Sequence, residues 1–279
     1  MRVRFWGVRG SLPAPGPDTM AVGGNTSCVQ VTGEDGTELI LDAGSGIRTL
    51  HATALSHQKR LHIVLSHLHL DHIQGLLFFA PLFDPEAEIT VWGPPGQTPL
   101  RRRLARYLSN PLSPVEIADL PARVSFEDAP VEGWRMGGLE LRAALIAHRG
   151  PTLGLRIVEG DRSLCYLPDH EPGLGTDLSS MPEEWISGLG LARGASALIH
   201  DAQYSDAEYA SRWGWGHSSL GDTLAFARRA EPERLLLFHH DPGHDDRYLA
   251  SLSEQAAHEA ARLGLGTVEL ACEQGTVEL

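Results

Sequence analysis

Short apolar runs recur along the chain, each cut off by Gly, Pro, Asp or His. "RVRFWGV", "CVQVTG", "ELILDAG", "LHIVLSH", "EITVWG", "LELRAALIAH", "TLGLRIVEG", "SLCYLPD", "SALIHDA", "LLLFHH" and "TVELACE" all have strand length and strand composition. Helical spacing of apolar positions appears between or after them, at 45–56, 73–83, 99–108, 219–230 and 245–263. That mixture predicts an α/β chain with more than one sheet. No Ser/Gly linker and no fixed-period repeat divides it, so one large domain over 1–279 is expected. The stretch 94–121 is rich in Pro and Arg and reads as an insertion or lid.

Composition narrows the classes. A hydrophobic share of 42% with 21% charged residues suits a globular chain and excludes a disordered or fibrous one. The apolar runs fall well short of the roughly 18 residues of a membrane span, and the N-terminal stretch lacks a secretory apolar region. Cys28, Cys165 and Cys272 are far apart, which fits a reduced, cytoplasmic protein and no cysteine zinc site. With 23 basic and 36 acidic side chains the formal charge is −13, which disfavours broad coating of nucleic acid.

Chemistry concentrates at "SHLHLDH", residues 66–72. His67, His69, Asp71 and His72 are the ligand types that zinc, manganese and iron take. If the segment continues a strand, His67 and His69 share a face and can grip one ion. The apolar stretch 73–83 then reads as a buried helix, with Asp71 also suited to cap its start. Later apolar runs end in His148, in Asp169, in His200 and Asp201, and in His239 and His240. Ligands at the ends of strands can converge on one cleft. Neighbouring strand residues face opposite ways, so one of His239 and His240 should enter it.

"HLHLDH" resembles the H-x-H-x-D-H motif of the metallo-β-lactamase fold, and the resemblance runs from "FWGVRGS" to "LFHHDP". "LILDAGSG" looks like the Asp-x-Gly turn that buttresses the metal loop in that family. The resemblance implies a four-layer αββα sandwich with two divalent ions at one edge of facing sheets. It implies that His67, His69 and His148 hold one ion, that Asp71, His72 and His239 hold the other, and that Asp169 bridges them. Zinc is the default metal, although manganese or iron suits the same ligands. Two cations about 3.5–4 Å apart can polarise a phosphoryl oxygen and stabilise a leaving oxygen. Asp71 would also steer the nucleophile.

"WGHSS" and "LIHDAQY" look like motifs of the ribonuclease Z and cyclic-phosphodiesterase branch. There the resemblance implies that His217 donates a proton and Asp201 orients it, which suits a poor leaving group. Ser218 or Ser219 would start the following helix. The long arm with which ribonuclease Z grips transfer RNA has no room here, because "TLGLRIVEG" and "RSLCYLPD" read as a plain hairpin with a Gly-Asp turn. The expected substrate is therefore a small or cyclic nucleotide or sugar phosphodiester, with a single-stranded nucleic acid end as a wider option. A homodimer is common in that branch. The rival readings are a thioester or lactam hydrolase, which needs no acid at His217, and a metal-stabilised sensing module without turnover.

Weaker candidates stand beside these. Arg101, Arg102, Arg103 and Arg106 share a helical stretch that reads first as a solvated face and second as a phosphate-binding one. Trp213 and Trp215 read as loop packing or as stacking surfaces. His170 and His244 read as solvent-exposed loop residues, and Asn25 as a residue that tolerates unusual turn angles.

Overall fold

The computed structural model describes residues 1–50, 60–130 and 132–279. Two seven-stranded sheets carry the fold. The first contains β1 (Arg2–Gly7), β2 (Cys28–Thr32), β3 (Glu38–Leu41), β4 (Arg60–Val64), β5 (Glu88–Gly93) and β6 (Arg123–Asp128), with β14 (Thr276–Glu278) beside β1. The second contains β7 (Trp134–Met136), β8 (Leu139–Leu145), β9 (Leu153–Glu159), β10 (Arg162–Leu167), β11 (Ala197–Asp201), β12 (Arg234–Phe238) and β13 (Thr267–Leu270) in reverse order. Each sheet begins antiparallel and becomes parallel, from β3 in the first and from β10 in the second. The carboxyl ends of parallel strands are where open α/β sheets place their sites.

Burial follows the pleat. In β3, Leu39 and Leu41 enter the core between the sheets, while Ile40 faces an outer core with Trp6, Ile63, Phe79 and Leu100. Leu155, Ile157, Leu164 and Phe238 of the second sheet meet the inner face. The short helices α1 (Leu70–Ile73) and α2 (Leu100–Leu104) lie with the first sheet, and α3 (Leu189–Ala192), α4 (Asp206–Tyr209), α5 (Leu220–Ala230) and α6 (Asp246–Leu263) belong to the second half. The expected four-layer sandwich results.

Two predicted helices match closely: Ser219 caps α5, accepting the Asp222 amide at 3.1 Å, and Asp245 caps α6, accepting the Tyr248 amide at 2.7 Å. The helix expected over 73–83 does not form. The chain makes α1 and then two 3₁₀ turns, Leu76–Phe78 and Ala80–Phe83. The Gly75 amide bonds to the Ala43 carbonyl at 2.9 Å instead of a helical partner, and a Cβ on Gly75 would lie 2.0 Å from the Gly44 oxygen. Pro81 then supplies no donor to continue a helix. The pattern at 45–56 gives a 3₁₀ turn over Ser45–Thr49, and its part beyond residue 50 lies outside the described residues. At 99–108 the regular helix is limited to α2.

The stretch 94–121 forms the connection from β5 to β6, and Leu100, Leu104 and Leu108 anchor it in the outer core. Between β9 and β10 the paired residues Glu159 and Arg162 leave a two-residue turn, Gly160 and Asp161, as the Gly-Asp reading expects. Among the described residues no helix is long and apolar enough to cross a membrane.

Candidate metal centre

β4 ends at Val64, so His67 and His69 sit on the loop beyond it rather than on a continuing strand. The shape of that loop comes from Asp42, which follows β3 with φ 60°. The buried Asp42 carboxylate accepts the Ser66 amide at 2.7 Å, the Ser66 hydroxyl at 2.9 Å, the Tyr166 hydroxyl at 2.8 Å and His72 Nδ1 at 2.8 Å. This is the buttress that the Asp-x-Gly turn leads one to expect, and its reach to β10 ties both sheets to the loop.

Two groups of side chains converge. His67, His69, His148 and Asp169 form one, and Asp71, His72, Asp169 and His239 the other, each with its candidate ligand atoms within 4.8 Å of one another. In the first, His148 Nε2 lies 3.2 Å from His69 Nδ1 and 3.6 Å from Asp169 Oδ2, and His67 Nε2 lies 3.7 Å from the same oxygen. In the second, His72 Nε2 is 3.0 Å and His239 Nε2 3.3 Å from Asp169 Oδ1, and Asp71 Oδ2 is 3.2 Å from His239 Nε2. Asp169 thus presents one oxygen to each group.

Partners outside the groups set the imidazoles. His72 spends Nδ1 on Asp42, His148 gives Nδ1 to the Gly216 carbonyl at 2.6 Å, and His67 Nδ1 meets the Ser66 hydroxyl at 3.0 Å. Each leaves Nε2 facing inward, the usual arrangement behind histidine ligands.

The donor set fits divalent cations. His67 Nε2 is buried without a hydrogen-bond partner among the described residues, as an atom waiting for a cation would be. Burial alone would raise the Asp169 carboxyl, but His239, His72 and His67 outweigh it and hold it well below the usual range. Burial would lower His72, but Asp169, Asp71 and Asp42 hold it well above its ordinary value. Burial and the neighbouring His72 keep His67 well below its own. The pocket therefore stabilises positive charge while presenting neutral imidazole at His67.

His217 and Asp201 lie against this cluster. His217 Nδ1 is 2.7 Å from Asp201 Oδ2, and the His217 ring centroid is 5.0 Å from those of both His148 and His239. Asp201 is fixed by the His170 amide at 3.0 Å and the Gln203 amide at 3.0 Å. Asp201, His217 and His239 also form a third group with metal-ligand spacing.

Several expectations need correction. Asp71 does not cap a helix: His69 occupies that position, and Asp71 Oδ2 accepts the Ser11 amide at 2.7 Å. The strand argument that only one of His239 and His240 faces the site lacks its strand, since β12 ends at Phe238. His239 turns into the cluster with φ 60°, while His240 Nε2 bonds to the Ala271 carbonyl at 3.0 Å. His200 lies outside the groups, and its Nε2 is 3.0 Å from His170 Nδ1. His170 and His244 are buried rather than solvent-exposed, His244 Nε2 lying 3.0 Å from Glu208 Oε1. Asn25 is a hydrogen-bonding hub between Glu273 and Ser45, and Gly23 takes the unusual angle. Arg103 is held by Asp128 and the Pro94 carbonyl, whereas Arg101, Arg102 and Arg106 are exposed. Trp213 and Trp215 are exposed, and Trp213 donates to the Leu174 carbonyl at 2.6 Å.

The sequence did not single out Ser11, Tyr166, Glu171 or Gln203. Ser11, Tyr166, Glu171 and the Gln203 side chain contact residues distant in the chain, and the carboxylate beside Asp169 and His170 in "PDHEP" was the one local signal, at Glu171.

A family model for the beta-lactamase superfamily domain matches residues 37–240. Ribonuclease Z of Geobacillus kaustophilus (strain HTA426) is 27% identical over 277 residues, covering 86% of this chain and 88% of its own length. The metallo-beta-lactamase fold protein YhfI from Bacillus subtilis is 16% identical with a TM-score of 0.71, covering 100% of this chain and 98% of its own. Human tRNase Z, short form, is 23% identical with a TM-score of 0.67, covering 100% of this chain and 99% of its own. The matched region contains every residue of the two convergent groups, and the chain belongs to the beta-lactamase superfamily.

Proposed function

We propose that this metal-dependent hydrolase cleaves phosphodiester bonds, and that its substrates are small or cyclic nucleotide or sugar phosphates. The observation that carries the reading is the His217–Asp201 pair at 2.7 Å, set against the two ligand groups. A thioester has a thiolate leaving group that departs more readily, and a sensing module turns nothing over. A phosphodiester with an alkoxide leaving group needs a positioned acid.

In this reading His67, His69, His148 and Asp169 hold one divalent ion, and Asp71, His72, His239 and Asp169 hold the second. Bound there, the ions, zinc by default, supply Lewis acidity and an activated water. Asp71, kept in place by the Ser11 amide, orients the attacking water. Asp201 accepts from His217 Nδ1 and so directs Nε2 to the departing oxygen, where His217 delivers its proton. The Geobacillus relative's name supports phosphodiester chemistry. The two-residue β9–β10 turn and the formal charge of −13 support a small substrate over transfer RNA.

The test compares bis(p-nitrophenyl) phosphate with a 2′,3′-cyclic nucleotide, using zinc- and manganese-loaded protein and its His217→Ala variant. Metal-dependent turnover of both is expected. The variant should keep its metal and lose about 10²–10⁴-fold on the cyclic nucleotide, and less on the nitrophenyl ester, whose leaving group departs unaided. Equal turnover by the variant on both esters, or hydrolysis of thioesters alone, overturns the reading.

A further inference from the structure

Ser11 follows β1 and holds φ at 59°, in the left-handed region that residues with a side chain seldom occupy. Gly would fit that backbone without strain. What Ser adds at this position is its hydroxyl, and strained backbone gathers at sites of chemistry.

The chain passes very close to the metal centre here. A Cβ on the preceding Gly10 would lie 2.3 Å from His239 Nδ1, and the Ser11 amide donates to Asp71 Oδ2 at 2.7 Å. Asp71 is buried while Ser11 is exposed, so the Ser11 side chain stands at the edge of the ligand cluster and open to solvent. The buried Gln203 reaches it from the other sheet: its Nε2 donates to Ser11 Oγ at 3.0 Å, and its amide donates to Asp201 Oδ1 at 3.0 Å. Ser11 is thereby tied to Asp71 on one side and, through Gln203, to the His217–Asp201 pair on the other.

A serine hydroxyl has one hydrogen to give. Its oxygen already accepts from Gln203, and no described residue takes its hydrogen. We infer that Ser11 donates this hydrogen to a non-bridging phosphoryl oxygen of the substrate, which makes it a further catalytic residue of the proposed phosphodiesterase. The inference rests on that reading for its ligand class. The group it recognises is a tetrahedral phosphorus oxyanion, where charge grows during attack and an aimed donor gains strength.

Ser11→Ala and Ser11→Gly both remove the hydroxyl and keep the amide that serves Asp71. Glycine also relieves the backbone, so a defect shared by both variants is due to the hydroxyl. Three quantities are measured on zinc-loaded protein without excess metal: zinc content, affinity for inorganic phosphate by calorimetry, and kcat/KM on the cyclic nucleotide. Expected are an unchanged zinc content, phosphate binding weaker by about 10-fold or more, and kcat/KM lower by about 10- to 100-fold in both variants. Phosphate affinity unchanged in both variants, absence of phosphate binding by the unaltered protein, or zinc lost in parallel overturns the inference. A protein that binds phosphate through Ser11 and hydrolyses no diester would overturn the proposed function alone. Ordinary diester turnover with no effect of either variant would overturn the Ser11 role alone.

Discussion

The Glu171 carboxylate accepts the Gly216 amide at 2.7 Å, and the Gly216 carbonyl in turn accepts His148 Nδ1 at 2.6 Å. Glu171 also takes the Gly214 amide at 2.8 Å and the Tyr209 hydroxyl at 2.8 Å. One buried carboxylate thus sets the loop that carries both His217 and the orienting carbonyl of His148. Glu171→Gln puts an amide NH₂ where one of these donors now points. Zinc affinity should fall about 10- to 100-fold, read by competition with a chromophoric chelator. Undiminished affinity would show that the loop holds its shape without Glu171.

Asp42 is completely buried and accepts four hydrogen bonds. Asp42→Ala strands the Ser66 amide and hydroxyl, the Tyr166 hydroxyl and His72 Nδ1 without an acceptor, at a cost of about 3–5 kcal/mol in urea unfolding. Tyr166→Phe removes one donor together with its need for a partner and should cost about 1 kcal/mol. Comparable losses for the two variants would contradict the hub role of Asp42.

Acid should destabilise the protein through His200. Burial pushes this imidazole down to about 4. Its Nδ1 donates to the Asp201 carbonyl at 2.7 Å and its Nε2 faces His170 Nδ1 at 3.0 Å, so both histidines are neutral in the folded chain. The unfolded chain takes up a proton near pH 6.5 and the folded chain does not. The contribution of His200 is therefore complete above about pH 6.5 and fades as pH falls toward 4, by roughly 2–3 kcal/mol. His200→Gln should be less stable at pH 7.5 and show a shallower decline between pH 6.5 and 4.5. Parallel declines in urea midpoint would remove His200 as the cause.

Gly10→Ala drives a methyl group into the His239 imidazole, 2.3 Å from Nδ1. Displacing that ring should spare the first ligand group and dismantle the second. Metal analysis is expected to give close to one ion per chain rather than two. Two ions retained at full affinity would mean that the β1 loop yields instead.

The sheets were readable because β strands leave alternating or continuous apolar runs, and the histidines and aspartates stand where those runs stop. β6, β7 and β14 escaped notice: β7 and β14 have three residues each, and β6 alternates exposed with half-buried positions. The failed helix over 73–83 has apolar spacing that packs a core equally well as 3₁₀ turns, once Gly75 is committed to the Ala43 and Gly44 backbone. Spacing identified the candidate ligands without revealing what orients them. His170 meets His200 thirty residues on, and Gln203 meets Ser11 across 192 residues. Contacts made only in the folded chain leave no local trace.

His67, His69, Asp71 and His72 come from the first sheet's loops, and His148, Asp169 and His239 from the second's. Neither half of the chain owns a full coordination shell. The candidate centre therefore lies on the seam between the halves: parting the sheets by a few ångströms would pull both candidate ligand groups apart while leaving every strand intact. Conversely, ions clamped across the seam would act as rivets, raising resistance to shear between two layers that otherwise meet mainly through aliphatic side chains.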